Sequence, residues 1–228
     1  MTAERRPPDG ESLRRRRAVA LSGFGNDEST ARPGLADSSP RVRCAALAAL
    51  ARGGNLAAAD LLGALGDPSP EVRAGAAELA AGRGDIDLSG VLGDSDARVV
   101  EAAAWACGEH PAADSGVVSQ LGEIATSHPD ALCRETAVAA LGAIGDGAGL
   151  AAVLAATGDR VTVRRRAVLA LAAFSGPEVE EALERATGDR DWQVRQAAED
   201  LRQPIFVGSA DDLRRFSPRR RSPRTSPA

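Results

Sequence analysis

The chain reads as an all-α protein, a right-handed α-solenoid of about seven stacked helical hairpins. Three observations lead there. One pattern recurs along the chain at a period near thirty residues. Small and apolar residues within each copy fall on one face of a helix. Proline, glycine and aspartate separate the copies. A repeat of this length is one helical hairpin that cannot bury its own apolar face, so neighbouring copies have to stack.

The copies can be taken in order. A degenerate one, "SLRRRRAVAL", opens the series at Ser12–Leu21. The second starts at Asp37 and continues "SSPRVRCAALAAL" to Leu50. "DPSPEVRAGAAELA" follows at Asp67–Ala80 and "DSDARVVEAAAWAC" at Asp94–Cys107. "HPDALCRETAVAAL" begins at His128, "DRVTVRRRAVLAL" at Asp159 and "DRDWQVRQAAEDL" at Asp189. The aligned apolar position is Leu13, Val42, Val72, Val99, Cys133, Val163 and Val194, in steps of 29, 30, 27, 34, 30 and 31 residues.

In the second copy the small or apolar positions are Val42, Ala46, Ala49 and Leu50, the i, i+4, i+7, i+8 spacing of a helix face. Pro40 and Pro70 suit a first helical turn, and Asp or Ser ahead of them can cap free N–H groups. Between these helices lie "NLAAADLLGAL", "GVVSQLGEIA", "GLAAVLAA" and "EVEEALERA", also helical in pattern and mostly stopped by Gly. "DLSGVL" predicts only a turn or two. Four after each aligned position stands Ala46, Ala76, Ala103, Ala137, Ala167 or Ala198, which predicts close helix approach. The first copy has Arg17 there, so its helix should be a cap with no preceding neighbour.

The pattern D-x-x-x-x-V-R-x-x-A-A-x-A-L resembles the short HEAT-like repeats of the phycobilisome lyase type, from about Glu11 to Pro204. The resemblance implies a structural ladder in which the recurrent aspartates and arginines tie the turn of one hairpin to the helix of its neighbour. The aspartates are Asp37, Asp67, Asp94, Asp159 and Asp189. The arginines are Arg14, Arg43, Arg73, Arg134, Arg164 and Arg195, with Val100 breaking the series. Guanidinium suits the task, since its planar donors serve a carboxylate and a carbonyl together. Five-fold recurrence also argues against catalysis, because an active site is needed once.

Composition sets the remaining bounds. The 228 residues are 43% hydrophobic but only 3% aromatic, so packing should be close and alanine-based. All 28 basic residues are arginine. No apolar run is long enough to span a bilayer and no signal sequence opens the chain, so a cytoplasmic monomer is expected. Cys44, Cys107 and Cys133 read as free thiols in a reducing compartment. Net charge is −4, unevenly spread: +3 over residues 1–17, +6 over residues 213–228 and −13 between. An acidic array repels phosphates, so it is no ordinary nucleic-acid groove. Residues 1–10 are expected to be disordered, 11–205 to form the solenoid and 206–228 to be a basic Ser/Pro/Arg-rich tail. Weak nucleic-acid contact by 213–228 is an alternative to a tail that is simply solvated or touches its own groove.

The resemblance brings enzymes into view. Deoxyhypusine hydroxylases build a di-iron site from His-Glu pairs, but this chain has two histidines, His110 and His128, neither followed by an acid. Nothing marks a bilin-lyase pocket, and the acidic array suits a HEAT-like DNA glycosylase poorly. No catalytic residue, metal site or cofactor is therefore expected. The favoured reading is a non-catalytic scaffold that binds another protein through its concave face, a basic segment being the partner chemistry that face suits. An accessory or catalytic subunit of a modification enzyme is the alternative.

Trp105 stands apart. It lies six residues after Val99, a position turned from the core towards the groove. Glu78, Glu101 and Glu135 are placed near it, and Ala48, Ala51, Ala74, Ala139 and Gly142 leave room for a ligand chain. An indole ringed by acids suits a basic peptide. The competing reading folds Trp105 back over Val100. Trp192 is expected to be a packing staple in a turn.

Overall fold

A computed structural model describes residues 10–109 and 114–202; the expectations for residues 1–9 and 203–228, and for His110, lie outside it. The described residues form twelve α-helices with short 3-10 turns and no strand. The patterned copies form α1 (Gly10–Ser22), α3 (Pro40–Arg52), α5 (Pro70–Leu79), α6 (Ala97–Gly108), α8 (Ala131–Ile144), α10 (Val161–Ala170) and α12 (Trp192–Arg202). Each packs on the next, making one continuous layer. A second layer holds α2 (Glu28–Ala31), α4 (Ala58–Leu65), α7 (Ser115–Ser127), α9 (Leu150–Ala156) and α11 (Pro177–Thr187).

The hairpin between α5 and α6 has no first helix. Residues 81–96 run as turns that still bury Ile86, Leu88 and Leu92. Four glycines and several aspartates in that stretch favour turns over a helix, and Asp87 accepts the backbone N–H of Ser89. The capping expectation holds only in part. Pro40 and Pro70 do start their helices, but Ser39 and Ser69 make no side-chain cap. Their backbone N–H groups instead donate to the carboxylates of Asp37 and Asp67 at 2.8 Å. At α6 and α8, Asp96 and Asp130 cap directly.

The six recurrent alanines, Ala46, Ala76, Ala103, Ala137, Ala167 and Ala198, are all at 0% exposure. Beside them Val42, Val72, Val99, Cys133, Val163 and Val194 are buried. Small residues there let neighbouring helices approach closely. A second set of close contacts sits nine residues after the aligned position. A β-carbon on Gly142 would lie 2.7 Å from Ala170 Cβ and 2.9 Å from its Cα, and one on Gly108 would lie 2.9 Å from Ala140 Cα. Gly142 thus serves helix contact as well as the groove face for which the sequence suggests it.

That contact gives a prediction with an internal control. Alanine ordinarily stabilises a helix interior relative to glycine by roughly 1 kcal/mol. Gly63→Ala in α4, where a methyl meets nothing within 4 Å, should gain stability. Gly142→Ala should instead lose about 1–3 kcal/mol through overpacking against α10. Denaturant midpoints of the two variants decide it, and equal midpoints would remove the close-approach account.

The first copy is out of register with the sequence expectation. Arg15, not Arg14, makes the ladder contact, with Nε 2.8 Å from Asp37. The whole helix therefore shifts by one. Leu13, placed in the core by sequence, is 46% exposed, while Val19 is buried. Gly23 then matches Gly108 and Gly142, and a β-carbon there would lie 2.7 Å from Ala49 Cα. The residue corresponding to the buried alanines becomes Ala18 rather than Arg17, and it is exposed because no helix precedes α1 among the described residues. The capping role of α1 survives; the reason given for it does not.

Candidate functional site

The ladder is built the same way at each joint. Arg43 grips Asp67 with both Nε and Nη2, at 2.7 and 2.6 Å, while its Nη1 donates to the Asp37 carbonyl at 2.8 Å. Arg73 does the same with Asp94 and the Asp67 carbonyl. Arg134 holds Asp159 and the His128 carbonyl, and Arg164 holds Asp189 and the Asp159 carbonyl. Each guanidinium therefore pins its own turn and the turn of the next repeat. Arg195 donates to the Asp189 carbonyl at the end of the described array.

One joint lacks a rung. α6 carries Val100 in place of arginine, and the following turn carries His128 in place of aspartate. Both partners are missing together, so neither a lone guanidinium nor a lone carboxylate is buried there. His128 keeps one duty of the lost aspartate: its Nδ1 accepts the Asp130 backbone N–H at 3.1 Å. Cys133 Sγ lies 3.1 Å from the Ala97 carbonyl across the same joint.

Beside this joint lies a groove of about 690 Å³ between α5, α6 and the face of α8. Trp105, 46% exposed, stands on its wall with Glu71, Glu78 and Glu101. Ala74, Gly75 and Ala102 keep the floor shallow. Val100 is buried, and Trp105 shares the groove with α5 residues. Among the described residues Glu71, Glu78 and Glu101 form no ion pair. Arg98, also on the groove, is held by Asp96 at 2.9 Å. Partial burial, with Asp130, Glu78 and Glu135 nearby, pushes the Glu101 carboxyl above its ordinary range. The site is therefore an aromatic surface beside three carboxylates, with Arg98 the one cation among the lining residues.

Glu135 does not join Trp105. It lines the next groove along, with Arg165, Leu169 and Asp191, and lies 3.6 Å from Arg166. Its influence on Glu101 is Coulombic only. Trp192 corrects a second expectation: it opens α12 with 62% exposure and is no packing staple among the described residues. The thiols of Cys44, Cys107 and Cys133 are pushed up to about 11, chiefly by burial, which makes them poor nucleophiles. Among the described residues no cluster of His, Cys, Asp or Glu is arranged to hold a metal, and no helix is long and apolar enough to cross a membrane.

A raised carboxyl is a cost to the fold at neutral pH. A group whose folded pKa lies above its unfolded value stabilises below the unfolded value and loses that contribution as pH rises through the folded one. Glu101→Gln should therefore raise Tm at pH 7, by about 1–2 °C. The same change should weaken capture of an arginine-rich peptide. Calorimetry beside a binding titration checks both; a Tm that falls would contradict the repulsion described.

Residues 58–142, from α4 to α8, match a family model described as HEAT repeats. That segment is similar to HEAT repeats. Curated proteins gave no match. Among solved structures, the chain resembles Escherichia coli YibA at 20% identity, over 86% of this chain and 75% of that one, with a TM-score of 0.56. That likeness is one of fold. Human deoxyhypusine hydroxylase, solved with glycerol, aligns at 21% identity over 85% of this chain and 79% of its own, TM-score 0.45. A designed armadillo repeat protein in complex with the peptide (KR)4 aligns at 18% identity over 86% and 93%, TM-score 0.48. At these scores the last two alignments bear on neither fold nor function.

Proposed function

We propose that this HEAT array is a non-catalytic binding module that holds a basic segment of a partner protein in the groove of Trp105. The observation that carries this reading is the pairing of a half-exposed indole with Glu71, Glu78 and Glu101, none of them ion-paired among the described residues. An aromatic face beside carboxylates attracts guanidinium and ammonium groups twice over, by the ring quadrupole and by charge. The small residues of α5 and α6 let an extended chain lie against the helices. The recurrent Asp-Arg pairs, by contrast, are taken up by the ladder, each arginine holding an aspartate of the next copy and a carbonyl of its own turn.

The test is a titration with a hexa-arginine peptide, followed by Trp105 emission in a Trp192→Phe background. Emission should shift to the blue on saturation, and affinity should fall steeply as salt rises. A basic peptide that binds without perturbing Trp105, or no binding at low salt, would sink this reading.

A further inference from the structure

The groove is negative, and residues 213–228 of the same chain are strongly positive. We infer that the occupant of the Trp105 groove in the free protein is the chain's own segment around Arg214–Arg221, which competes with any basic partner. This inference rests on the groove reading above.

Reach is sufficient. Rungs join the N-terminal ends of α8, α10 and α12, and Cys133 Sγ meets the Ala97 carbonyl at the N-terminal ends of α6 and α8, so the four helices run parallel. Arg202 ends α12 two residues beyond Asp200, the position equivalent to Trp105. The chain therefore leaves α12 at about the height of Trp105 along the helices. Three helix spacings of roughly 8–10 Å, about 24–30 Å in all, separate α12 from α6. The twelve residues from Arg202 to Arg214 reach about 40 Å when extended.

Charge order agrees as well. Leaving α12 towards Trp105, the segment first crosses α10, where Arg165 is exposed and without an ion pair among the described residues. It then meets Glu101 and Glu78. The segment presents its charges in the same order: Asp211 and Asp212, then Arg214 and Arg215, with Phe216 next to them. Asp211 and Asp212 answer Arg165, the arginines answer Glu101 and Glu78, and Phe216 supplies a ring for Trp105. Residues 213–228 hold six arginines and no acid.

A tethered segment need not bind tightly. An effective concentration near 1 mM against a dissociation constant of about 100 μM weakens a competitor roughly tenfold. The experiment uses the full chain throughout, in the Trp192→Phe background. The intact protein is compared with the fivefold variant R214S/R215S/R219S/R220S/R221S, both titrated with hexa-arginine at low salt. The variant should bind the probe about tenfold more tightly, its free Trp105 emission should be redder, and the difference should close in high salt. Equal affinity and equal emission would overturn the tail assignment and leave the groove reading intact. Failure of both proteins to bind the probe would overturn the groove reading, and the tail assignment with it.

Discussion

Arg164→Ala should lower the stability of the array by about 3 kcal/mol, the largest loss at any rung. The Arg164 side chain is the most buried of the ladder arginines, 8% exposed against 13–17% for Arg43, Arg73 and Arg134. Its removal strands the Asp189 carboxylate and the Asp159 carbonyl together, and breaking one side of a buried pair costs more than the pair itself contributes. Charge follows from the same geometry. The Arg164 guanidinium holds Asp189 below the ordinary carboxylate range, and Arg15, Arg73 and Arg134 do the same for Asp37, Asp94 and Asp159. Burial alone would raise Asp67, but Arg43 and the Ser69 N–H outweigh it and lower it too. A carboxyl depressed by folding stabilises above its unfolded pKa and loses that contribution as pH falls through the folded one. Wild type should therefore lose stability progressively below about pH 4, while Arg164→Ala shows a shallower acid slope. Denaturant unfolding between pH 2 and 7 measures both. A variant that unfolds like wild type yet no longer captures its partner would return Arg164 to the functional residues.

Trp105→Ala should weaken binding of a basic segment by about 2 kcal/mol or more, roughly thirtyfold, as truncated hot spots do. Its cost to the fold should be small, because nearly half of Trp105 is already in solvent. The two effects separate cleanly. Rung variants change stability and leave the groove; the groove variant changes affinity and leaves the melting curve. Isothermal titration with the hexa-arginine peptide, paired with calorimetric melting, reads both. Loss of stability without loss of affinity would make Trp105 a packing residue.

Much of this arrangement is legible in the sequence, because a repeat states each structural rule several times. From the second copy onward the buried alanines, the aligned apolar residues and the rung residues are recovered position by position from one pattern. Trp105 is placed correctly by helical angle alone, since a residue six beyond a buried valine turns out of the core. The failures have local causes. In "SLRRRR" four consecutive arginines fit the ladder equally well, and apolar Leu13 pulls the register one residue off. Glu135 lines the neighbouring groove with Arg165 and Leu169, a matter of packing between copies that the pattern within one copy does not carry. Trp192 reads as a staple in an inter-helix turn, but it opens α12 and is 62% exposed. The pairing rule itself, arginine of one copy with aspartate of the next, is present as the joint absence of Arg at 100 and Asp at 128; it becomes evident only when successive copies are compared rather than superposed.

The rungless joint gives the array a mixed response to acid. Nearest-neighbour coupling governs such repeat stacks, and here the couplings differ in sign. Protonation weakens the five joints closed by aspartate. At the joint between α6 and α8 no carboxylate is invested in a rung, and Glu101 is repelled across it by Asp130 and Glu135. Acid relieves that repulsion. As the pH drops, the two ends of the stack should loosen while its middle tightens, so amide exchange in acid should leave α6 and α8 as the last protected helices.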